Sequence, residues 1–394
     1  MSAEQTLAEP DTAALWAALE RHLPAAVRLR HEIHSAPEVS GAEQGTRDRI
    51  AAALPAQMTR ADVAGTGAVL RLGGEGPAIG IRGELDALPV TETTGVEWAS
   101  AVEGVMHACG HDVHMAALVA VSHAVAEAGP PVPLLAVLQP REETYPSGAE
   151  DIMASGLLAR QGCAAMVGAH LQPTLGRDVV ACVPGGVNAA ADEFVIEVTG
   201  SPGHAAYPHL AEDPVLATAQ VVVALQTVVS RRVDPMRAAV LGVSSMEAGR
   251  AANVIPGSAR VTGTLRALDS ETRALLRTQL QEVAVGVAAA HGCSAEVTVT
   301  SGEPVLENDP ALAVRAQRQL AGLGFELSDS LRSLGADDFS FYGAQAPSLM
   351  MFVGTGAAAG LHTSDFLPGD DDVRRVAQAM LAGYLAAAEL IREG

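Results

Sequence analysis

Hydrophobic and polar positions along the chain follow two periodicities, that of a helix in some segments and that of a strand in others. Apolar residues at helical spacing, including Leu15, Leu19 and Leu23, predict an amphipathic helix over residues 11–35. The next segments are expected to form a helix and three short strands between glycine turns, at residues 43–54, 62–67, 68–72 and 77–82. The chain therefore begins as a mixture of helices and short strands.

Two uninterrupted apolar runs of strand length, residues 132–139 and 164–169, are typical of strands buried on both faces of a parallel sheet. The first run leads to Glu142 and Glu143, and the second leads to His170. Ligands of an open α/β sheet lie outside the carboxyl ends of its strands, so this pattern indicates a site at that edge. Helices are expected nearby, at residues 115–125 and 149–161.

The pattern changes near residue 185, where apolar and polar residues begin to alternate as in half-exposed strands. The order strand, helix, strand, strand, helix, strand over residues 187–304 predicts a ferredoxin-like α+β unit. The α/β pattern then returns with a helix, a strand and a helix at residues 310–323, 347–353 and 371–391. We therefore predict an α/β catalytic domain made of residues 1–186 and 305–394, with residues 187–304 inserted as a second domain.

Composition narrows the class of protein. A length of 394 residues favours two domains, and 48% hydrophobic with 18% charged residues is typical of a globular chain. The formal charge of −21 argues against nucleic acid or an anionic membrane as a partner. Four cysteines without framework spacing, and no secretory signal at the N-terminus, predict a cytoplasmic protein.

Two absences from the sequence exclude whole mechanisms. All 25 basic residues are arginine, so Schiff-base chemistry and a Walker A loop, which both require a lysine amine, are excluded. The chain also lacks a Gly-x-Ser-x-Gly elbow, which argues against an α/β-hydrolase serine. A hydrolase with this sequence is expected to depend on metal.

The stretch MHACGHDVH, from Met106 to His114, holds three histidines, one cysteine and one aspartate. We expect Asp112 to cap the helix that follows, which leaves Cys109 and His111 in the preceding turn and able to bind one ion. Thiolate and imidazole together suit zinc, and imidazole also suits manganese, cobalt and nickel. Any one of these residues alone would be more typical of a buried core position, whereas the cluster as a whole favours metal binding.

Other candidate residues follow predicted strands. Glu84 and Asp86, two residues apart, face the same side of a strand end, either as a solvated pair or with Asp86 supporting a metal-bound imidazole. Of the adjacent Glu142 and Glu143, one is suited to bind metal and the other to hold a water. A glycine loop over residues 354–363 presents one more histidine, His362.

Taken together, these motifs resemble the M20 metallopeptidase family, in particular its amidohydrolase branch of N-acyl-amino-acid, hippurate and auxin-conjugate hydrolases. The resemblance covers nearly the whole chain. The segments that carry it are LRHEIHSAPE from Leu29, RGELDALP from Arg82, MHACGHDVH from Met106, QPREE from Gln139, GAH from Gly168, GHAAYPH from Gly203, NVIP from Asn253, GTLR from Gly263, GADDFS from Gly335 and LHT from Leu361.

The resemblance implies a role for each matching residue. Glu142 matches the general base, His204 a histidine that reaches the partner subunit's site, and Asn253 and Arg266 residues that hold the substrate carboxylate. Asp86 and His114 are expected to support the ligands. The resemblance implies two divalent metal ions, and zinc or manganese is expected in preference to cobalt or nickel. The residues that match the family's metal ligands are Cys109, His111, Glu143, His170 and His362.

The predicted function is hydrolysis of the amide bond of N-acyl amino acids. The fold it implies is a metal-dependent exopeptidase-like catalytic domain with a ferredoxin-like insert that serves as a lid and joins a homodimer. A dipeptidase or carboxypeptidase on the same scaffold, and a catalytically silent metal- or ligand-binding homologue, remain alternatives. The chain departs from the family at Glu84 and Asp337, where Asp and Glu are usual, and at Arg141, where a small residue is usual.

Overall fold

The computed structural model describes residues 11–393. Its helices are α1 (Thr12–His34), α2 (Gln44–Ala53), α3 (His111–Ala128), α4 (Gly148–Ala154), α5 (Leu157–Arg160), α6 (Pro214–Arg231), α7 (Ser270–Ala290), α8 (Pro310–Gly322) and α9 (Asp370–Glu393). Its strands are β1 (Thr59–Val63), β2 (Gly67–Leu72), β3 (Ala78–Glu84), β4 (Leu134–Gln139), β5 (Cys163–Gln172), β6 (Val179–Ala181), β7 (Gly185–Asn188), β8 (Ala190–Thr199), β9 (Gly203–His204), β10 (Ala239–Ala248), β11 (Val254–Ile255), β12 (Ser258–Ala267), β13 (Ser294–Ser301), β14 (Leu306–Asn308), β15 (Glu326–Ser328) and β16 (Ser348–Gly354).

The chain divides into two compact units. Unit 1 contains the described residues up to Gly185, together with residues 307–331 and the described residues from Phe341 onward. Unit 2 contains residues 186–306 and 332–340. The second of these segments was predicted to belong with the catalytic domain. It joins unit 2 because the Ala189 amide donates hydrogen bonds to the carbonyl oxygens of Ser333 and Gly335, at 3.0 and 3.1 Å.

Unit 1 is built on an eight-stranded sheet in the order β1-β2-β4-β3-β5-β16-β6-β15. The four strands β4, β3, β5 and β16 are adjacent and mutually parallel. These strands are almost entirely buried, which explains their uninterrupted apolar sequences. The predicted α/β class is confirmed, and the carboxyl ends of four neighbouring strands meet at one edge of the sheet.

The helix that follows the ligand stretch is central to the core of unit 1. Most residues of α3 are apolar, and 14 of its residues are buried. Helices α1 and α9 both pack against it. A helix that is apolar on every side has to be enclosed by other elements, and this enclosure fixes the position of its first turn.

Unit 2 has a four-stranded antiparallel sheet in the order β10-β12-β8-β13. Helices α6 and α7 pack against this sheet, and the core between them contains Phe194, Ile196, Val221 and Leu276. Chain order and sheet order together give the predicted ferredoxin-like arrangement. Among the described helices, α6 is the one whose length and apolar composition would allow it to span a membrane, although Val221, Leu225 and Val228 lie in this core.

The bounds of two predicted elements were wrong, each because a residue takes a left-handed conformation. Residues 62–67 were predicted to be a strand, but Ala64 and Gly65 have φ of 52° and 78° and form the turn between β1 and β2. The helix predicted over residues 149–161 is broken into α4 and α5 at Gly156, whose φ is 66°. Positive φ ends regular structure without any change in hydrophobic pattern.

Candidate metal centre

The predicted ligands of unit 1 come from the carboxyl ends of its parallel strands. Asp86 follows β3, Glu142 and Glu143 follow β4, and His170 lies near the end of β5. The loop after β16 carries His362. Strands β4 and β5 flank β3 on opposite sides, so the segment that leads from β3 to α3 emerges where the strand order reverses. Ligands in open α/β sheets bind at such a point.

Gly110 separates the candidate ligands Cys109 and His111 and explains their spacing. It precedes the first residue of α3 with φ of 85°, a conformation that favours glycine. A Cβ atom at this position would lie 2.7 Å from Cδ1 of Leu171. Glycine therefore lets the chain turn sharply between the thiol and the imidazole while β5 approaches closely.

The two buried imidazoles of His111 and His170 share one hydrogen-bonding arrangement. Nδ1 of His111 donates to the carbonyl oxygen of Asp86 at 2.8 Å, and Nδ1 of His170 donates to that of Leu171 at 2.7 Å. In the neutral form of each ring, Nε2 is therefore left with a lone pair. Nε2 of His111 is buried without a hydrogen bond, and Nε2 of His170 lies 3.5 Å from the Cys109 sulfur. Metal-ligating histidines are held in this way.

A thiol, an imidazole and a carboxylate surround a common point at this site. Cys109, His111 and Glu143 each offer one ligand atom, and these atoms lie within 4.8 Å of one another. Burial raises the pKa of the Cys109 thiol well above its usual value. A buried thiolate needs a cation nearby, so this donor set fits a divalent metal ion.

His114 is oriented differently from His111 and His170, although its ring lies 4.7 Å from that of His170. Its Nδ1 bonds to the Glu84 carboxylate at 3.1 Å, and its Nε2 accepts a hydrogen bond from the Leu171 amide, also at 3.1 Å. Both ring nitrogens are therefore occupied by the protein. Through these two bonds His114 holds the backbone beside His170, and its supporting role stays a prediction.

Arg82 forms an ion pair with Glu84, the partner of His114. Its guanidinium lies 3.1 Å from the Glu84 carboxylate, and both side chains are buried. Burial opposes the charge on Glu84, but Arg82 and His114 outweigh it and hold the pKa of Glu84 well below its usual range. The sequence pattern gave Arg82 no role, although the residue stands in one of the recognised motifs.

The Asp86 carboxylate anchors the turn that carries the adjacent glutamates. Its Oδ2 accepts hydrogen bonds from the Ser40 hydroxyl at 2.7 Å and from the Glu143 amide at 3.0 Å. Together with the bond from His111 to the Asp86 carbonyl, these contacts connect β3, the glutamate turn and α3. Asp86 and Glu84 are both buried, so they are not a solvated pair, and the support of metal ligands by Asp86 stays a prediction.

The adjacent glutamates point to different neighbours. An oxygen of Glu143 lies 3.1 Å from Nε2 of His362, whereas Glu142 lies 3.7 Å from Nε2 of His111 and 4.0 Å from Arg82. Arg141, just before them, has φ of 50° and forms an ion pair with Asp151 at 2.5 Å. One carboxylate thus joins the thiol and imidazole set, while the other is placed beside it.

His362 differs from the other candidate ligands because its side chain is 52% exposed. Its φ is 64°, and its backbone amide donates to the Ala108 carbonyl oxygen at 2.8 Å. The bond to Glu143 raises the pKa of His362. A long-range backbone contact therefore brings this loop beside Cys109.

The prediction that Asp112 caps α3 was wrong. The helix begins at His111, with Gly110 as the preceding residue, and Asp112 lies inside its first turn. The Asp112 carboxylate instead accepts hydrogen bonds from Arg30 at 2.7 Å and from His34 at 2.9 Å. Burial acts to raise the pKa of Asp112, but these two groups outweigh it and lower that pKa.

Three further candidates, His204, Asn253 and Arg266, lie in unit 2. His204 is on β9, which pairs with β11, and the Asn253 carbonyl accepts a hydrogen bond from the Ala205 amide at 3.0 Å. Nδ1 of His204 accepts from the Ala206 amide at 3.0 Å, so its Nε2 is the donor of the neutral ring. Arg266 lies on β12, on the face of the sheet opposite the buried Leu265 and Ala267.

A parallel α/β sheet that gathers thiol, imidazole and carboxylate donors at its strand ends, with a further glutamate beside them, defines a metal-dependent hydrolase. Residues 80–386 match the model of Peptidase family M20/M25/M40. The chain belongs to this family and is a metal-dependent hydrolase that acts on amides.

Named relatives and solved structures agree with this assignment. The chain is 34% identical to N-acetyl-L-cysteine deacetylase from Bacillus subtilis, over 89% of this chain and 84% of the relative. It is 32% identical to N-acetyldiaminopimelate deacetylase from Pediococcus pentosaceus, over 87% and 92% respectively. A solved Bacillus subtilis structure, described as a dinuclear metal binding peptidase of the M20 family, is 28% identical, covers 95% of this chain and 99% of its own, and has a TM-score of 0.82.

Proposed function

We propose that this protein hydrolyses the amide bond of N-acyl amino acids and releases a carboxylate and an amino acid. The observation that carries the proposal is the paired orientation of His111 and His170, whose Nε2 lone pairs are directed away from their backbone partners beside Cys109. The relatives named as deacetylases of N-acetylated amino acids support this choice of substrate class.

We further propose that two divalent ions, zinc or manganese before cobalt or nickel, are held by Cys109, His111, Glu143, His170 and His362. When bound, such ions polarise the scissile carbonyl and increase the acidity of water. Four of these side chains are mostly buried, so the substrate amide is shielded from bulk solvent where they converge.

Glu142 serves as the general base in this proposal. It takes a proton from the attacking water and returns it to the leaving amine, a role that typically contributes 10²–10⁴-fold in rate. Its position supports this role, because its carboxylate is 14% exposed and lies near His111 without joining the thiol, imidazole and carboxylate set. Asp86 and His114 keep the ligand side chains oriented.

Unit 2 supplies the remaining groups, and the enzyme acts as a homodimer. Asn253 and Arg266 bind the substrate carboxylate, for which the guanidinium fork of Arg266 is suited. The free Nε2–H of His204 donates to the developing oxyanion in the partner subunit's site. We place the enzyme in the cytoplasm, in keeping with the four free cysteines of the described chain.

The proposed chemistry is tested by comparing Glu142→Gln with Glu143→Gln. The first variant should keep its metal, measured by elemental analysis, and lose turnover by about 10²–10⁴-fold. The second should lose metal, because it removes a ligand. Equal metal loss in both variants would show that the two roles are assigned wrongly.

The substrate class is tested with the metal-loaded wild type on N-acetyl, N-benzoyl and indoleacetyl amino acids. Unmodified dipeptides serve as the comparison. Faster release from the dipeptides would favour the dipeptidase or carboxypeptidase alternative. Bound metal with no release from any of these compounds would favour a silent binding homologue.

The dimer is tested by mixing two inactive variants, His204→Ala and Glu142→Gln. A mixed dimer has one site with both residues intact, so activity should return toward half that of the same amount of wild-type dimer. Subunit exchange is verified by native mass spectrometry. No return of activity after verified exchange would mean that His204 does not act across subunits.

A further inference from the structure

Arg30 is fully buried in unit 1 and uses its whole guanidinium group. Nε donates to the Asp112 carboxylate at 2.7 Å, Nη1 to Asp370 at 3.1 Å, and Nη2 to the Pro368 carbonyl oxygen at 2.9 Å. The guanidinium also lies 4.2 Å from the centre of the Trp98 ring. None of these groups belongs to the proposed ligand set, and neither the sequence motifs nor the proposed reaction accounts for this arrangement.

Two of these partners adjoin the proposed metal centre from separate parts of the chain. Asp112 follows His111 directly in the first turn of α3. Pro368 lies near the end of the loop that carries His362, two residues before the first residue of α9. One guanidinium therefore connects the buried segment that carries Cys109 and His111 to the loop that carries the exposed ligand.

A second connection joins the same two segments nearer to the ligands. The His362 amide donates to the Ala108 carbonyl oxygen at 2.8 Å. With Arg30 joining Asp112 to Pro368, the two segments are held at both of their ends. These two contacts lie outside the ligand set and act together with the bond from His362 to Glu143 to hold His362 near Cys109 and His111.

The surroundings of Arg30 keep its geometry fixed. His34, also fully buried, shares the Asp112 carboxylate at 2.9 Å and reaches Glu92 at 3.3 Å. The Trp98 ring packs against His31 as well as Arg30, with the two ring centres 4.2 Å apart and their planes nearly parallel. A lysine would supply one point charge and could not reproduce the planar fork with its three directed bonds.

We propose that Arg30 is a positioning residue that sets the spacing between His362 and the Cys109–His111 pair, and so controls the affinity for the metal ion that His362 binds. The inference rests on the proposed metal centre. Arg30 touches neither substrate nor metal, and its effect passes through Asp112 and the Pro368 end of the loop.

The test is a double-mutant cycle between Arg30→Lys and His362→Asn. Cobalt is titrated into the metal-free protein, and its dissociation constants and visible absorption spectrum are recorded. In the wild-type background, Arg30→Lys should weaken the weaker cobalt site by about 10–100-fold, the range for partners that orient a ligand, and should alter the spectrum. In the His362→Asn background it should cause no further loss, because the ligand it positions is already gone.

Arg273→Lys is the matched control. Arg273 also forms a forked ion pair with a buried carboxylate, that of Asp192, but it does so in unit 2. This control should lower thermal stability and leave cobalt affinity unchanged. A second variant, Trp98→Leu, removes the ring beneath the guanidinium and keeps every hydrogen-bonding partner of Arg30. It should weaken cobalt binding as Arg30→Lys does, but by less. Trp98→Leu replaces Arg30→Lys in the cycle if the lysine variant does not fold.

Unchanged cobalt affinity in folded Arg30→Lys would overturn the proposal. So would an equal loss of affinity with and without His362, because it would show a general loss of structure. Wild-type protein that binds none of cobalt, zinc and manganese would instead refute the proposed metal centre itself. The two failures are therefore distinguishable.

Discussion

The proposed metal centre has two parts that are built differently. Cys109, His111 and His170 are at most 6% exposed and are fixed by the parallel sheet and by α3. His362 is half exposed and lies in a loop with a left-handed backbone. The first part is positioned by core packing, whereas the second depends on a few specific contacts. The buried part should therefore determine whether metal binds at all, and the loop should determine whether the second ion is retained.

The strongest way to break the buried part is Cys109→Ser. A hydroxyl stays protonated and binds metal poorly compared with a thiolate, so affinity should fall by more than about 100-fold, beyond the effect of losing a supporting residue. Metal content after dialysis measures this. Cys163→Ser, at a half-buried thiol on β5, is the control and should bind metal as the wild type does. Two tightly held ions in Cys109→Ser would exclude Cys109 as a ligand.

A change confined to the loop is His362→Asn. Asparagine tolerates positive φ better than most residues, so the backbone at φ of 64° is retained while the imidazole is lost. We expect one ion per chain to stay tightly bound and the second ion to bind about 100-fold more weakly, at the upper limit of the range for partners that only orient a ligand. Elemental analysis gives the stoichiometry, and His209→Asn at an exposed position of unit 2 is the control. Retention of both ions at wild-type affinity would contradict the division into two parts.

The rigidity of the buried part is tested by Gly110→Ala. Left-handed backbone costs a residue with a Cβ about 1–2 kcal/mol, and the new methyl group also meets the Leu171 side chain. The free energy of unfolding, measured with urea, should fall by about 2 kcal/mol or more, and metal affinity should fall with it.

Gly129→Ala separates the cost of backbone strain from the effect of displacing the Leu171 side chain. Gly129 has a similar φ of 83° at the other end of α3, although its ψ of 121° lies outside the left-handed helical region, and a Cβ there would meet nothing within 4 Å. This variant should lose only the strain energy and keep its metal affinity. Equal effects of the two substitutions on metal binding would mean that close packing beside Cys109 is unimportant.

The smallest expected effect is that of Thr93→Val on the loop. The Thr93 hydroxyl donates to the Ser364 hydroxyl at 3.0 Å, and the backbone bond between the same residues, at 2.8 Å, remains. An exposed hydrogen bond contributes about 1 kcal/mol, so binding of the second ion should weaken by no more than about fivefold. A larger loss in a cobalt titration would show that this single contact holds the loop.

The sequence was most informative where the chemistry is local. Cys109 and His111 are separated by a single residue, so their convergence required no knowledge of the fold. The parallel strands were recognisable because a strand that is buried on both faces needs apolar residues at every position. The alternating pattern likewise indicated the ferredoxin-like order of unit 2.

The sequence was least informative where a distant partner overrides a local preference. Asp112 is a good cap by residue type, but Arg30, 82 positions away, takes its carboxylate into an ion pair. Residues 332–340 join unit 2 through backbone bonds to Ala189, which no side-chain pattern reveals. His111 and His114 differ because the Leu171 amide occupies Nε2 of His114, whereas Nε2 of His111 has no hydrogen bond, and this difference requires coordinates.

The insertion of unit 2 between His170 and His362 has a consequence for synthesis on the ribosome. Chains emerge from the N-terminus and domains generally fold as units during translation. All of residues 186–306 must therefore be made before His362 leaves the ribosome. The nascent chain can assemble the proposed buried ligands early, but His362 and the Asp370 partner of Arg30 arrive only after unit 2 has been made. Completion of the proposed metal centre is in this way coupled to synthesis of the whole inserted segment.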